Sequence, residues 1–221
     1  MRSRIFIMLA VGILPAIRGT QVTDARDVDS LRFSHHVGIN VRPSYLLPTH
    51  SFFRGENELG KRLDKSGSAH LQYSFSFPSS SHFGKLYPTA YQGVGVAFNT
   101  FFDHKEIGDP AAVYVFQGAR LAQISPTLSL DYEWNFGASF GWHPYDPYAD
   151  LHSYANEYNM VVGSRVNAYI NFGLLLSWRP LENWTISAGV DLTHFSNGNT
   201  SYPNAGVNTI GGRIGVTRSF G

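Results

Sequence analysis

Apolar and polar residues alternate with a period of two along much of this chain. In VVGSRVNAYINFGLLLSW, Val162, Val166, Ala168, Ile170, Phe172, Leu174, Leu176 and Trp178 share one parity, whereas Arg165, Asn167 and Asn171 take the other. LSLDYEWNFGASFGW repeats the arrangement, with Leu128, Leu130, Tyr132, Trp134, Phe136, Ala138, Phe140 and Trp142 set against Asp131, Glu133, Asn135 and Ser139. Such alternation marks a β-strand with one apolar and one polar face, and these runs are longer than ordinary strands. The same reading along the chain predicts eight strands, near residues 35–45, 69–77, 90–102, 111–120, 127–143, 160–179, 183–196 and 206–220.

The connections between these strands are asymmetric. One set (46–68, 103–110, 144–159 and 197–205) is mostly long and rich in polar and turn residues. The other contains the short turns AQISPT and RPLEN together with a longer segment, PSSSHFGKLYPT. Pro78, Pro88, Pro110, Pro126, Pro144, Pro147, Pro180 and Pro203 fall between the expected strands, and Pro43 falls at the end of the first. A soluble sandwich and a membrane barrel share the alternation, because an apolar strand face can meet either a core or lipid. Strand length, even strand number and the asymmetry of long loops and short turns favour the barrel. The expected fold is all-β: an eight-stranded antiparallel transmembrane β-barrel with apolar residues facing lipid and polar residues packed in the lumen.

Composition narrows the function. The formal net charge is +1 and charged residues make up 15% of the chain, too balanced for a nucleic-acid binder that relies on a basic surface. The chain has no cysteine, so disulfides and thiolate chemistry are excluded. At the amino terminus, Arg2 and Arg4 precede an apolar run from Ile5 to Ile17 that is too short to span a bilayer. It reads as a secretory signal peptide, residues 1–20, cut near Gly19 or Thr20 and leaving residues 21–221 as one barrel domain. A secreted chain that crosses a membrane by strands must close into a barrel to satisfy its backbone groups.

The candidate chemistry lies in DLTHFSNGNT. Trp184, Ile186, Ala188, Val190 and Leu192 form the apolar parity of the seventh strand, and the next positions on that face are His194 and Ser196. In the last strand, Ile210, Ile214, Val216 and Phe220 share a face whose backward continuation reaches Asn208. The hairpin therefore sets His194 opposite or nearly opposite Asn208, with all three polar residues directed outward and Asp191 and Thr193 directed into the lumen. A serine attacks when a base takes its proton and a third group orients that base. The expected roles are Ser196 as nucleophile, His194 as base and Asn208 as orienter, with the backbone N–H groups of Asn197 and Gly198 as candidate oxyanion donors. His35 and His36 are expected at the periplasmic end or in the lumen. His143, Asp146 and Asp150 read as loop polarity and not as a metal site, and no cofactor is expected. The glycosylation-like NWT and NTS triplets would go unused in a bacterial outer membrane.

The sequence His194-Phe195-Ser196-Asn197, followed by Pro203-Asn204-Ala205-Gly206 before the final strand, resembles the PagL family of lipid A 3-O-deacylases. That resemblance implies an eight-stranded outer-membrane barrel that removes the ester-linked acyl chain at position 3 of lipid A. It also implies lipid A and other outer-membrane lipids as partners, and a monomer or homodimer. The third catalytic residue of that family is typically Glu, where Asn208 stands here. His-x-Ser-Asn-Gly with a distant Asn is also similar to outer-membrane phospholipase A, a family of larger, calcium-dependent dimeric barrels. A deacylase is the first expectation and a phospholipase the second. A structural or adhesive barrel is a third, and a soluble lipid-binding barrel, which would need an apolar lumen, a fourth.

Overall fold

The computed structural model of the protein describes residues 32–147 and 157–220. The expected signal peptide lies outside the described residues, as does Asp150. Eight strands follow in chain order: β1 (Ser34–Leu46), β2 (Lys65–Ser76), β3 (Tyr91–Thr100), β4 (Gly108–Ser125), β5 (Leu128–Trp142), β6 (Val166–Leu181), β7 (Trp184–Ser196) and β8 (Val207–Phe220). Each pairs antiparallel with the next, and β1 pairs with β8 to close the barrel.

Closure leaves no open strand edge, so each strand has a ladder partner on both sides. The outer wall is apolar: Ile39, Val113, Val190 and Ile214 are each more than half exposed. Water would not tolerate so continuous an apolar girdle, whereas lipid requires it. The fold is a transmembrane β-barrel. At one end the turns between β4 and β5 and between β6 and β7 are only two residues each, 126–127 and 182–183. The opposite end carries the long connections 47–64 and 143–165, as the outward side of such barrels does.

The lumen is layered. At its middle Arg213 binds Asp191 through Nη2–Oδ1 at 2.7 Å and Glu133 through Nη1–Oε1 at 2.7 Å. Arg42 adds Nη1–Oδ1 of Asp191 at 3.3 Å, and all four side chains are buried. Two positive and two negative groups thus neutralise one another where neither sign could be buried alone. Towards the short turns this network borders a polar cavity of about 310 Å³, lined among others by Asp131, Arg120 and Ser177.

Towards the long loops the lumen is filled by apolar and aromatic side chains. Phe195 packs against Trp142, Tyr169 and Phe101 with ring centroids 5.0, 5.5 and 6.2 Å away. The alternation assigns Trp142 to the lipid face, but the structure turns it inward. Gly141 (φ +94°) and Gly108 (φ +90°) sit at a register shift between β4 and β5, and this bulge reverses the parity of the last residue of β5.

Three other differences have local causes. Strand β6 begins at Val166, not near 160, because Asn159 Oδ1 accepts from the N–H groups of Val161 and Val162 and folds them into the aromatic layer. Arg165 accordingly lies before the strand and is exposed instead of facing the lumen. Strand β2 starts at Lys65, because its polar first residues continue the ladder to Tyr45 and Ser44. Pro43, Pro110 and Pro180 lie within β1, β4 and β6. Each sits where a ladder is interrupted: the β1–β8 pairing skips from Val41 to Ser44, and register shifts bracket Pro110 and Pro180. Proline is tolerated in a sheet at such gaps.

Candidate active site

Strands β7 and β8 place His194 directly opposite Asn208. Their side chains meet, with Nδ1 of His194 2.7 Å from Oδ1 of Asn208. An amide oxygen only accepts, so Nδ1 carries the proton and Nε2 presents its lone pair. Asp191, three residues earlier and on the other face, is buried in the lumen network, and Asn171 Nδ2 donates to Thr193 Oγ1 at 2.9 Å. Phe195, between His194 and Ser196, is buried in the aromatic layer. The backbone carrying the outward pair is therefore clamped from inside.

Ser196 lies on the same outward face, across from Ala168 of β6. Its hydroxyl does not hydrogen-bond His194 in this structure. Oγ instead accepts from Asn204 Nδ2 at 3.0 Å and from the backbone N–H of Gly198 at 3.1 Å, and lies 3.3 Å from Asn204 Oδ1. The N–H of Asn197 donates to Asn204 Oδ1 at 3.1 Å, while its side chain donates to the Ser201 carbonyl at 2.8 Å. Of the two expected oxyanion donors, Gly198 thus points at the serine oxygen and Asn197 is engaged in holding the loop.

Asn204 has no role in the expectations drawn from the strands, because parity carries no information inside a loop. Its proximity to Ser196 is created by the turn. Gly198 and Asn199 adopt left-handed φ angles of +66° and +62°, and Thr200 Oγ1 donates to the Asn197 carbonyl at 2.8 Å. Gly206 closes the loop at φ +77°, and a Cβ there would meet His194 Cε1 at 3.0 Å. Backbone conformation and imidazole proximity both favour glycine at this position.

Ser–His hydrogen bonds do occur elsewhere in the barrel. Ser68 Oγ is 2.8 Å from His70 Nε2, and His70 Nδ1 is 2.9 Å from Tyr114 Oη. His70 and Tyr114 are buried in the lumen against Tyr169, so this contact satisfies interior polar groups. His36 bonds Ser219 and Ser76 at the short-turn end of the lumen, while His35 faces outward to Tyr73. His143 Nδ1 is 3.1 Å from the carbonyl of Lys105. Among the described residues, no group of three His, Asp or Glu side chains is arranged to hold a metal ion.

By sequence, no curated protein matches the chain. Among solved structures, Neisserial surface protein A is similar at 10% identity and a TM-score of 0.47, over 85% of this chain and 96% of its own. The outer membrane enzyme PagL is similar at 14% identity and a TM-score of 0.46, over 81% of this chain and 97% of its own. The N-terminal β-barrel domain of Pseudomonas aeruginosa OprF is similar at 10% identity and a TM-score of 0.42, over 84% and 97%. The family profile of lipid A 3-O-deacylase (PagL) matches residues 32–217, from the start of β1 almost to the end of β8, and the chain belongs to that family.

Proposed function

We propose that this outer-membrane barrel is a serine esterase that removes the 3-O-acyl chain of lipid A from the outer leaflet. The observation that carries the reading is the His194–Asn208 hydrogen bond on the lipid-facing wall, with Ser196 on the same face. Ile170 is exposed beside His194 in the ladder, Leu192 and Ile210 are exposed below the pair, and Asn199 and Thr200 are exposed above it. A lipid ester lies at just such a boundary, with its acyl chain in the apolar zone and its sugar in the polar one.

In the proposed reaction, the substrate carbonyl oxygen takes the N–H donors of Gly198 and Asn204 that Ser196 Oγ now holds. The released hydroxyl turns to His194 Nε2 and loses its proton there as Oγ bonds to the carbonyl carbon. The two donors stabilise the resulting oxyanion. Collapse breaks the ester C–O bond, His194 returns the proton to the departing sugar oxygen, and the acyl group remains on Ser196. Water, deprotonated by His194, then attacks the acyl carbon, and His194 returns the proton to Ser196 Oγ as the C–Oγ bond breaks and the fatty acid leaves. Asn208 keeps the imidazole in the required tautomer throughout, but as a neutral amide it stabilises the imidazolium less than a carboxylate would. The amino-terminal segment delivers the chain as a cleaved signal peptide in this reading, and the enzyme acts as a monomer or homodimer.

Purified wild-type and Ser196→Ala proteins, incubated with lipid A in mixed micelles, test the assignment by release of free hydroxy fatty acid. Release by the wild type alone supports it. A phospholipase reading is favoured by the amide at position 208, and phospholipid offered in the same assay distinguishes the two. Equal inertness of both proteins towards both lipids would leave a structural barrel.

A further inference from the structure

The segment between β2 and β3 is too long for a simple turn at the short-turn end, and the structure shows what the extra residues do. Ser81 N–H and Oγ both donate to the Pro78 carbonyl, at 2.9 and 2.7 Å, and Ser81 Oγ accepts from Gly84 N–H at 3.0 Å. These bonds start a single helical turn, α1 (His82–Leu86), capped by Tyr87. The packing allows no side chain at Gly84, where a Cβ would lie 2.0 Å from the Pro78 carbonyl oxygen. This is a built structure, not slack chain.

Its surface is apolar where a turn facing an aqueous compartment would be polar. Phe83, Leu86 and Tyr87 are 43%, 57% and 62% exposed. They do not form an isolated patch. Leu71 and Tyr73 are exposed on the outer wall of β2, and the same parity continues through Phe75 to Phe77. Phe77 packs against Phe75 at 5.9 Å and against Phe83 at 5.4 Å, while Phe33 touches Phe75 and Phe77 at 5.4 and 5.6 Å. An unbroken apolar column therefore runs from the lipid-facing wall into α1. Leu86 is one helical turn from Phe83 and shares its face, and Lys85 projects from the same short helix.

We infer that α1 is an interfacial anchor, seated in the periplasmic leaflet with Phe83 and Leu86 in the acyl region and Tyr87 and Lys85 at the headgroups. Continuity with the lipid-facing wall identifies lipid as the occupant, since no boundary separates the α1 surface from a wall already in hydrocarbon. Aromatic side chains at such a level fix a barrel's height in the bilayer. Interfacial placement also explains why this turn departs in length from the two at the same end. The inference is independent of the catalytic reading.

The absence of cysteine makes the test direct. Leu86→Cys, Leu71→Cys and Glu182→Cys are each spin-labelled and the full barrel is reconstituted into phosphatidylethanolamine–phosphatidylglycerol vesicles. Collision rates with oxygen, which partitions into lipid, and with a water-soluble nickel chelate are then compared. The label at 86 is expected to favour oxygen over the chelate, as the label at 71 does, with the reverse at 182 in the neighbouring short turn. A label at 86 as open to the chelate as that at 182 overturns the inference, whether water or a soluble partner covers the helix in the cell. Leu86 is exposed, so its replacement leaves the packing intact. Tyr87→Cys, labelled in the same way, is expected to fall between the labels at 86 and 182, as a headgroup-level position should.

Discussion

His194 and Asn208 face each other across the β7–β8 ladder, 2.7 Å apart at Nδ1 and Oδ1, on the wall of a barrel whose other outward residues are largely apolar. A polar pair on such a wall is costly unless it is used. The pair defines the proton geometry of the proposed reaction, and it makes Asn208 the first residue to change. Asn208→Ala is expected to lower kcat about 10- to 100-fold with little change in KM, because orientation of the base matters most in the transition state. Asn208→Glu keeps an acceptor, carried one methylene further out, and adds charge, so it is expected to retain or raise kcat. Steady-state kinetics on lipid A micelles measures both. A loss of activity in Asn208→Glu would argue that residue 208 is not the third member.

Asn204 offers a sharper test of the oxyanion assignment. Asn204→Ala removes a donor that now reaches Ser196 Oγ at 3.0 Å. Loss of one such donor typically costs about 10²–10³-fold in kcat, and the same range is expected here. Its amide also holds Asn197, so circular dichroism and heat-modifiable gel mobility should accompany the kinetics to show that the barrel is intact. Unchanged kcat would remove Asn204 from the mechanism.

The lumen network predicts a stability effect away from the outer wall. Arg213→Met leaves Glu133 and Asp191 buried with Arg42 as their remaining cationic partner. Removing one member of a buried ionic cluster typically costs about 3–5 kcal/mol. Urea unfolding in lipid vesicles, followed by tryptophan fluorescence, should show a lower midpoint for Arg213→Met. Adding Glu133→Gln to that variant should recover part of the loss, since it restores charge balance.

Glu106 makes the long-loop end sensitive to pH. It is fully buried and accepts from Leu59 N–H at 2.8 Å, and burial raises its carboxyl pKa above the ordinary value of 4.5. A raised carboxyl pKa means that the folded loops hold the proton more tightly than the unfolded chain. The stabilisation is therefore fully present below the unfolded value and is lost as pH rises through the folded one. Thermal unfolding scans of the wild type should show a Tm that falls across that window. The Glu106→Gln variant should lack this component.

Much of the fold is legible in the sequence, because a closed barrel exposes one parity of every strand to lipid and buries the other. The His194–Asn208 pairing follows from the same arithmetic, carried through a hairpin of known parity. What escapes it depends on single backbone angles. Left-handed Gly108 and Gly141 invert Trp142, and Gly198 with Asn199 bends the loop that brings Asn204 to Ser196. Val161 and Val162 look like strand because they are apolar, yet they serve the layer that plugs the lumen. The α1 turn stands out in sequence only as an excess of length. Its apolar face becomes meaningful once Phe77 and Phe83 are seen to touch.

The most direct test of the central claim is mass spectrometry of lipid A and phospholipids from cells expressing the wild type or Ser196→Ala. The account predicts lipid A lighter by one hydroxyacyl group with the wild type and unaltered with Ser196→Ala, and phospholipids unchanged in both. Lysophospholipids in place of shortened lipid A, or no change in either pool, would contradict it.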